Sequence, residues 1–204
     1  MLLRLLLIVL LLGTATATTA GEAPRIAVLG DSLSAAYGLE RERDGWVALL
    51  QDRLSDGDYP HKVINAATSG DTTRQGLNRL ARLLDEHDPE VLVVQLGGND
   101  GLRALPPAET RRNLSAIIEM GQSAGAEVLL VGIRLPPNYG PVYNERFEAL
   151  FHDLADEYTI PLVPFLLEGI ATDRNLMQDD RIHPNTGAQP KMLELVWPEL
   201  EPLL

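Results

Sequence analysis

The stretch IAVLGDSLS, residues 26–34, joins a short apolar run to a turn that contains a serine. Four consecutive apolar residues followed by Gly30 are typical of a β-strand that is buried on both faces and ends at a tight turn. In open α/β sheets the crevice that holds the chemistry lies beyond the carboxyl ends of such strands. Ser32 therefore stands where this class of fold places its reactive groups, and it is a candidate nucleophile.

The rest of the sequence alternates strand-like and helix-like segments. Short runs rich in Val, Ile and Leu predict strands at 25–29, 62–65, 91–96, 127–133 and 160–163. Amphipathic stretches predict helices near 46–54, 73–87, 107–124 and 143–158, and a last one after residue 187 that Pro198 should end or kink. This alternation predicts an α/β fold with a five-stranded parallel sheet in the order 2-1-3-4-5, helices on both faces, and a single domain over residues 21–204.

The first twenty residues have the pattern of a secretory signal peptide. Arg4 precedes an unbroken apolar run, residues 5–12, and small residues with A-x-A-like ends follow it. The run is too short for a membrane anchor, which needs about 20 residues. We therefore expect residues 1–20 to be removed by cleavage after Ala17 or Ala20, leaving an exported protein with no stable membrane insertion.

Composition narrows the possible partners. The chain has 17 basic and 29 acidic residues and a net charge of −12, which becomes −13 from Gly21 onward because only Arg4 is lost. Such a charge disfavours nucleic acid and anionic membrane surfaces as stable partners. The absence of cysteine excludes disulfides and a thiol nucleophile. We expect a small-molecule substrate and a monomeric protein.

The motif DRIH, residues 180–183, supplies the groups that a serine nucleophile needs. A serine hydroxyl is weak at neutral pH and requires a base, which in turn requires a carboxylate to fix its tautomer. His183 is the only one of the four histidines predicted to lie in a loop at the carboxyl edge of the sheet. Asp180, three positions earlier, can reach it within one turn, whereas Asp179 would point away. The motif predicts nucleophilic acyl transfer.

Two glycine-containing loops can supply donors for the oxyanion that forms in such a reaction. Gly70 follows the second predicted strand, and Asn99 follows the third. The backbone N–H groups of Ser32 and Gly70 and the side-chain amide of Asn99 are suitable donors. Gly97 and Gly98 are equally consistent with turn geometry alone, and they are not assigned to the site.

These motifs together resemble a known family. GDSL at 30–33, Gly70, GND at 98–100 and DRIH at 180–183 are similar, in this order, to the four sequence blocks of the GDSL, or SGNH, hydrolases. The longer segments SGDT (69–72), QLGGNDGLR (95–103), IRLP (133–136), NYG (138–140), MQDD (177–180) and IHP (182–184) resemble the bacterial periplasmic thioesterase I/lysophospholipase/arylesterase branch. The resemblance covers nearly all of residues 21–204.

The resemblance implies a flavodoxin-like, three-layer α/β/α sandwich that hydrolyses esters and thioesters without a metal or other cofactor, in the periplasm or as a secreted protein. It implies that Ser32, Asp180 and His183 are catalytic and that Ser32, Gly70 and Asn99 form the oxyanion hole. The loop at 134–141 is then expected to flank an apolar acyl-chain groove, with substrate-binding residues Arg134, Leu135, Pro136 and Tyr139. Ala36 departs from the family, whose members often carry glycine there, and its methyl group is expected to narrow the pocket.

Three alternatives fit parts of the sequence. Asp31, Asp71, Asp100 and Asp180 fall on one sheet edge, where carboxylates can hold Mg²⁺ in a metal-dependent, phosphate-handling protein. A non-catalytic lipid- or carbohydrate-binding module would be expected to lack a member of the Ser-His-Asp set, and none is missing. The α/β-hydrolase fold requires Gly-x-Ser-x-Gly, but Ser34 stands in place of the second glycine.

Overall fold

Five parallel strands form the centre of the protein. The computed structural model describes residues 22–204, so the predicted signal peptide lies outside the described residues. The strands are β1 (Arg25–Gly30), β2 (Lys62–Asn65), β3 (Val91–Gln95), β4 (Glu127–Val131) and β5 (Leu162–Val163), and they are ordered β2-β1-β3-β4-β5. The predicted α/β class, strand order and parallel pairing are confirmed.

The last two strands are shorter than predicted. β5 was expected over 160–163 but comprises Leu162–Val163 alone, and β4 ends at Val131 rather than at residue 133. Pro161 and Pro164 flank β5. Because proline has no N–H, neither residue can donate to the ladder, and β4 loses its partner where β5 ends.

The helices form two layers, one on each face of the sheet. Side chains alternate between faces along a strand, so Ile26 and Val28 of β1 contact one core while Ala27 and Leu29 contact the other. The first core contains α1 (Trp46–Asp56) and α6 (Gln189–Leu200), and the second contains α2 (Thr73–His87), α4 (Pro107–Ser123) and α5 (Pro141–Tyr158). The result is the three-layer α/β/α sandwich.

Two helical features differ from expectation. A short helix, α3 (Gly98–Leu102), follows β3 directly and was not predicted, because five residues are too few to display a helical period. α6 continues past Pro198 to Leu200. Pro198 and Glu194, whose carbonyl loses its intrahelical partner, are both exposed, so water can satisfy that carbonyl. Among residues 22–204, no helix combines the length and hydropathy needed to cross a membrane.

The aromatic side chains of α5 are expected to be a major source of stability. The ring of Phe147 is fully buried, and it packs against Tyr143 and Phe151 with centroid distances of 5.9 and 5.8 Å. Phe147→Ala should lower the free energy of unfolding by about 3–5 kcal/mol, because a large cavity replaces the ring. Urea unfolding measures this change. Val142→Ala on the same helix, at a side chain that is 61% exposed, should stay within about 0.5 kcal/mol of the wild type; equal effects of the two changes would contradict the packing.

Candidate active site

The sheet brings Ser32, Asp180 and His183 together at its carboxyl edge. Ser32 lies two residues beyond the end of β1, and His183 lies 151 positions later in the loop between β5 and α6. His183 Nε2 is 2.9 Å from Ser32 Oγ, and His183 Nδ1 is 2.6 Å from Asp180 Oδ2. One imidazole therefore connects the hydroxyl to the carboxylate, which is the arrangement that a base-activated serine requires.

The loop at 177–184 is built to hold this imidazole. Its ends pair in an antiparallel bridge between Met177 and Pro184, and the Gln178 N–H donates to the His183 carbonyl at 2.8 Å. Inside the loop, Asp180 Oδ1 accepts from the N–H groups of Ile182 and His183 at 2.9 and 3.0 Å. The carboxylate thus fixes both the backbone and the ring of His183.

These hydrogen bonds keep Asp180 ionised. Burial by itself would raise the pKa of Asp180, but the hydrogen bonds from the His183 ring and from two backbone N–H groups outweigh it and lower that pKa to about 2. At neutral pH the carboxylate is therefore available to stabilise a positively charged imidazole. Asp179, the neighbouring carboxylate, is exposed and makes none of these bonds in the described part of the chain.

Tyr37 is a member of the site that the sequence did not indicate. Its ring lies against that of His183, with centroids 4.5 Å apart and planes tilted by 44°. The Gln178 side chain donates to the carbonyl of Tyr37 at 2.8 Å and so ties this segment to the His183 loop. The contact joins parts of the chain about 140 residues apart, and no sequence spacing relates them.

The predicted oxyanion donors lie on loops that are bonded to one another. Asn99, in the first turn of α3, donates from Nδ2 to the carbonyl of Asp71 at 3.0 Å. Arg103, at the end of the same helix, donates to the carbonyl of Gly70 at 3.0 Å. Gly70 has a φ of +86°, a conformation that favours glycine. Asn99 Nδ2 also has a longer contact, of 3.5 Å, with Asp31 Oδ2, so two acceptors orient the amide.

Two buried aspartates support these loops from below. Asp31, 2% exposed, accepts from the Leu33 N–H at 3.1 Å and from Gln95 Nε2 at 3.0 Å. Asp100 accepts from the backbone N–H and the hydroxyl of Thr73 at 2.8 and 2.5 Å and so fixes the start of α2 to α3. The sequence indicated both residues only as possible metal ligands, because the burial of a carboxylate cannot be read from the sequence.

The four aspartates of the metal alternative are held by different partners. Asp71 pairs with Arg79 at 2.8 Å, Asp180 bonds His183, and the other two bond Gln95 and Thr73. Within residues 22–204 no three His, Asp or Glu side chains come together in a way that could hold a metal ion. The arrangement does not favour the metal-dependent alternative.

A cleft of about 570 Å³ opens beside Ser32, Asn99 and His183. Most of its walls are apolar, and they include Leu33, Ile133, Leu135, Pro136, Phe165 and Met177. Arg134 also lines the cleft, where its guanidinium lies 5.2 Å from the Phe165 ring and bonds Glu148 and Glu168, both at 2.7 Å. Three of the four predicted substrate-binding residues are therefore at the cleft.

Tyr139 and Ala36 do not lie where they were expected. Tyr139 is not among the residues that line the cleft; its hydroxyl donates to the Leu102 carbonyl at 2.7 Å, and its ring faces a separate surface depression. Tyr139 therefore lies outside the cleft that Arg134, Leu135 and Pro136 line. Ala36 does not line the cleft either. Its φ of +54° explains why glycine suits this position, so its effect is on the backbone rather than on pocket width.

Comparison with known proteins agrees with this fold. Residues 28–189 match the model of the GDSL-like lipase/acylhydrolase family, and the chain belongs to that family. Esterase TesA of Pseudomonas aeruginosa is 50% identical over 187 residues, which cover 92% of each chain. Thioesterase 1/protease 1/lysophospholipase L1 of Escherichia coli is 45% identical over 91% of this chain and 87% of its own. A crystal structure of the psychrotrophic esterase EstA from Pseudoalteromonas sp., inhibited by monoethylphosphonate, is 39% identical with a TM-score of 0.83, over 87% of this chain and 97% of EstA.

The buried position of Asp31 predicts a pH-dependent stability. Burial raises its pKa from 3.8 to about 6, against the opposing effect of the bonds from Leu33 and Gln95. Because the folded protein holds this proton more tightly than the unfolded chain, the stability that it contributes is present below pH 3.8 and is lost as the pH rises through about 6. Asp31→Asn should remove this dependence. Relative to the variant, the wild type should lose about 3 kcal/mol of unfolding free energy between about pH 4 and pH 7.

Urea unfolding at several pH values tests this expectation. Asp52→Asn, at an exposed carboxyl on α1, controls for the change in net charge. A difference between wild type and Asp31→Asn that stays constant over this range would contradict the raised pKa.

Proposed function

We propose that this protein hydrolyses carboxylic esters and thioesters through an acyl-enzyme formed on Ser32. The observation that carries the proposal is the pair of contacts at 2.9 and 2.6 Å through which His183 connects the serine hydroxyl to Asp180. The family and the names of the relatives, an esterase and a thioesterase/lysophospholipase, support the same reaction.

The reaction begins when His183 accepts the Ser32 proton at Nε2 while Oγ attacks the substrate carbonyl. Asp180 stabilises the imidazolium through its bond to Nδ1. The N–H groups of Ser32 and Gly70 and the amide of Asn99 stabilise the tetrahedral oxyanion. His183 then protonates the departing alcohol or thiol. Water, activated by the same imidazole, releases the carboxylic acid and restores the serine.

The acyl chain is proposed to occupy the apolar cleft beside Ser32. Leu135 and Pro136 contribute to its wall, and Arg134 is held at its rim by Glu148 and Glu168. Burial of methylene groups in such a cleft contributes about 0.8 kcal/mol each, so chain length is expected to govern affinity. Because Ser32 lines the same cleft as these apolar residues, the carbonyl can meet the hydroxyl while the chain contacts the apolar walls.

We also propose that this protein is exported from the cytoplasm. The basic start, short apolar run and small-residue end of residues 1–20 support a cleaved signal peptide, with the mature enzyme in the periplasm or outside the cell. We further propose that the mature protein acts as a monomer without inserting into a membrane. All of the side chains assigned to the reaction come from one chain.

Ser32→Ala should lower kcat on p-nitrophenyl butyrate at least about a thousandfold, because no other hydroxyl within residues 22–204 is bonded to His183. Ser55→Ala, at an exposed serine of α1, is the matched control and should retain activity. An alkyl phosphonate should add its mass to the wild-type peptide that contains Ser32 and to no peptide of Ser32→Ala. Full activity of Ser32→Ala, or labelling at another residue, would refute the proposal.

Asn99→Ala should lower kcat by about a hundredfold or more with little change in KM. The amide contact develops mainly in the transition state, and the loss of one such donor costs about 2.7–4 kcal/mol. Steady-state kinetics separates the two constants, and Asn78→Ala on the exposed face of α2 is the control. An increase in KM alone would show that Asn99 binds the ground state instead.

A further inference from the structure

Arg181 occupies a position in the His183 loop where an arginine is unexpected. Its N–H donates to the Gln178 carbonyl at 3.0 Å, which closes a turn, and its φ is +60°. Glycine adopts this conformation without steric cost, whereas a residue with a Cβ does not. Strained backbone of this kind is often found at functional sites, where the surrounding structure holds it in place. The position of the Arg181 side chain is therefore informative.

Arg181 lines two adjoining spaces. It belongs to the cleft beside Ser32 and also to an adjoining cavity of about 340 Å³. Ala171, Thr172 and Met177 line both spaces as well, so the two are adjacent. A second arginine, Arg174, also lines the adjoining cavity.

These two guanidinium groups are not neutralised by neighbouring carboxylates. Within residues 22–204, neither Arg174 nor Arg181 forms a salt bridge, although Asp179 also lines the cavity. Arg134, the other arginine of the cleft, is by contrast bonded to two glutamates. The chain has a net charge of −12, so most of its surface potential is expected to be negative. Two unpaired cations near the reaction centre make the potential there more positive.

We propose that Arg181, together with Arg174, forms a subsite for a phosphate group on the leaving alcohol or thiol of the substrate. Guanidinium groups bind phosphate oxygens through charge-assisted, often bidentate hydrogen bonds. The apolar cleft takes the acyl chain, and the adjoining cavity takes the phosphorylated part beyond the scissile bond. This subsite rests on the proposed function, because it places the leaving group relative to Ser32.

Two pairs of substrates with the same hexanoyl chain test the subsite and separate the two sources of phosphate. One pair is hexanoyl glycerol 3-phosphate and monohexanoyl glycerol; the other is hexanoyl phosphopantetheine and hexanoyl pantetheine. The measured quantity is the ratio of kcat/KM for the phosphorylated substrate to that for its neutral partner. Because the neutral partner shares the acyl chain, general damage to the reaction centre cancels in the ratio.

Arg181→Asn removes the charge, and asparagine tolerates the positive φ at this position. This variant should lower the ratio roughly ten- to hundredfold in at least one pair, as expected for loss of a hydrogen bond to a charged group. Arg181→Lys should retain part of the preference. Arg112→Gln, an exposed arginine of α4, should leave both the ratio and the activity on neutral substrates unchanged. Arg181→Gly should lower the ratio without lowering Tm, whereas a purely structural arginine would make this variant less stable.

The pair that responds identifies the source of the phosphate. Unchanged ratios in both pairs for Arg181→Asn and for the double variant with Arg174→Gln would overturn the subsite. Hydrolysis of both neutral substrates in that case would leave the proposed function standing. Failure of the wild type to hydrolyse any of the four substrates would instead count against the proposed function.

Discussion

Everything at the site depends on the two hydrogen bonds made by one imidazole, that of His183. The ring can reach Ser32 Oγ and Asp180 Oδ2 at once only if a loop near the end of the chain is held against a turn near its beginning. Parallel strands satisfy this condition, because their carboxyl ends open on one edge whatever the distance along the chain. The Gln178 side chain also donates hydrogen bonds to the carbonyls of Tyr37 and Pro184. These bonds hold the His183 loop against the segment that follows β1.

Below this edge, buried polar groups rather than apolar contacts set the positions of the loops. Asp31 connects β1 to β3 through Gln95, and Asp100 connects α3 to α2 through Thr73. A buried carboxylate is tolerated only when its oxygens are bonded, and a network that satisfies all of its members is rigid. The order of the Gly70 and Asn99 loops therefore has its origin in buried hydrogen-bonded groups, of which only Asp31 also lines the cleft.

Much of this could be predicted from the sequence, for physical reasons that differ from one feature to another. The strand order follows from apolar runs alternating with amphipathic segments, and the contact of Ser32 with His183 follows from the common edge. Tyr37 and the role of Asp31 could not be predicted, because both depend on packing between distant segments. Tyr139 lies outside the cleft that its neighbours line, and its position in the sequence does not reveal which way its ring turns. Pro198 shows that an exposed proline in a final turn need not end a helix.

The two edge strands of the sheet also determine how readily copies of this chain can associate by strand addition. β5 offers only two residues between Pro161 and Pro164, so an incoming strand finds few free N–H groups with which to pair. β2, at the opposite edge, begins with the exposed charge of Lys62. Short, proline-bounded or charged edges are the means by which sheets avoid strand addition and aggregation. The chain has no cysteine and therefore no disulfide to stabilise its fold. Its two outermost strands are the features that oppose fibre-like assembly.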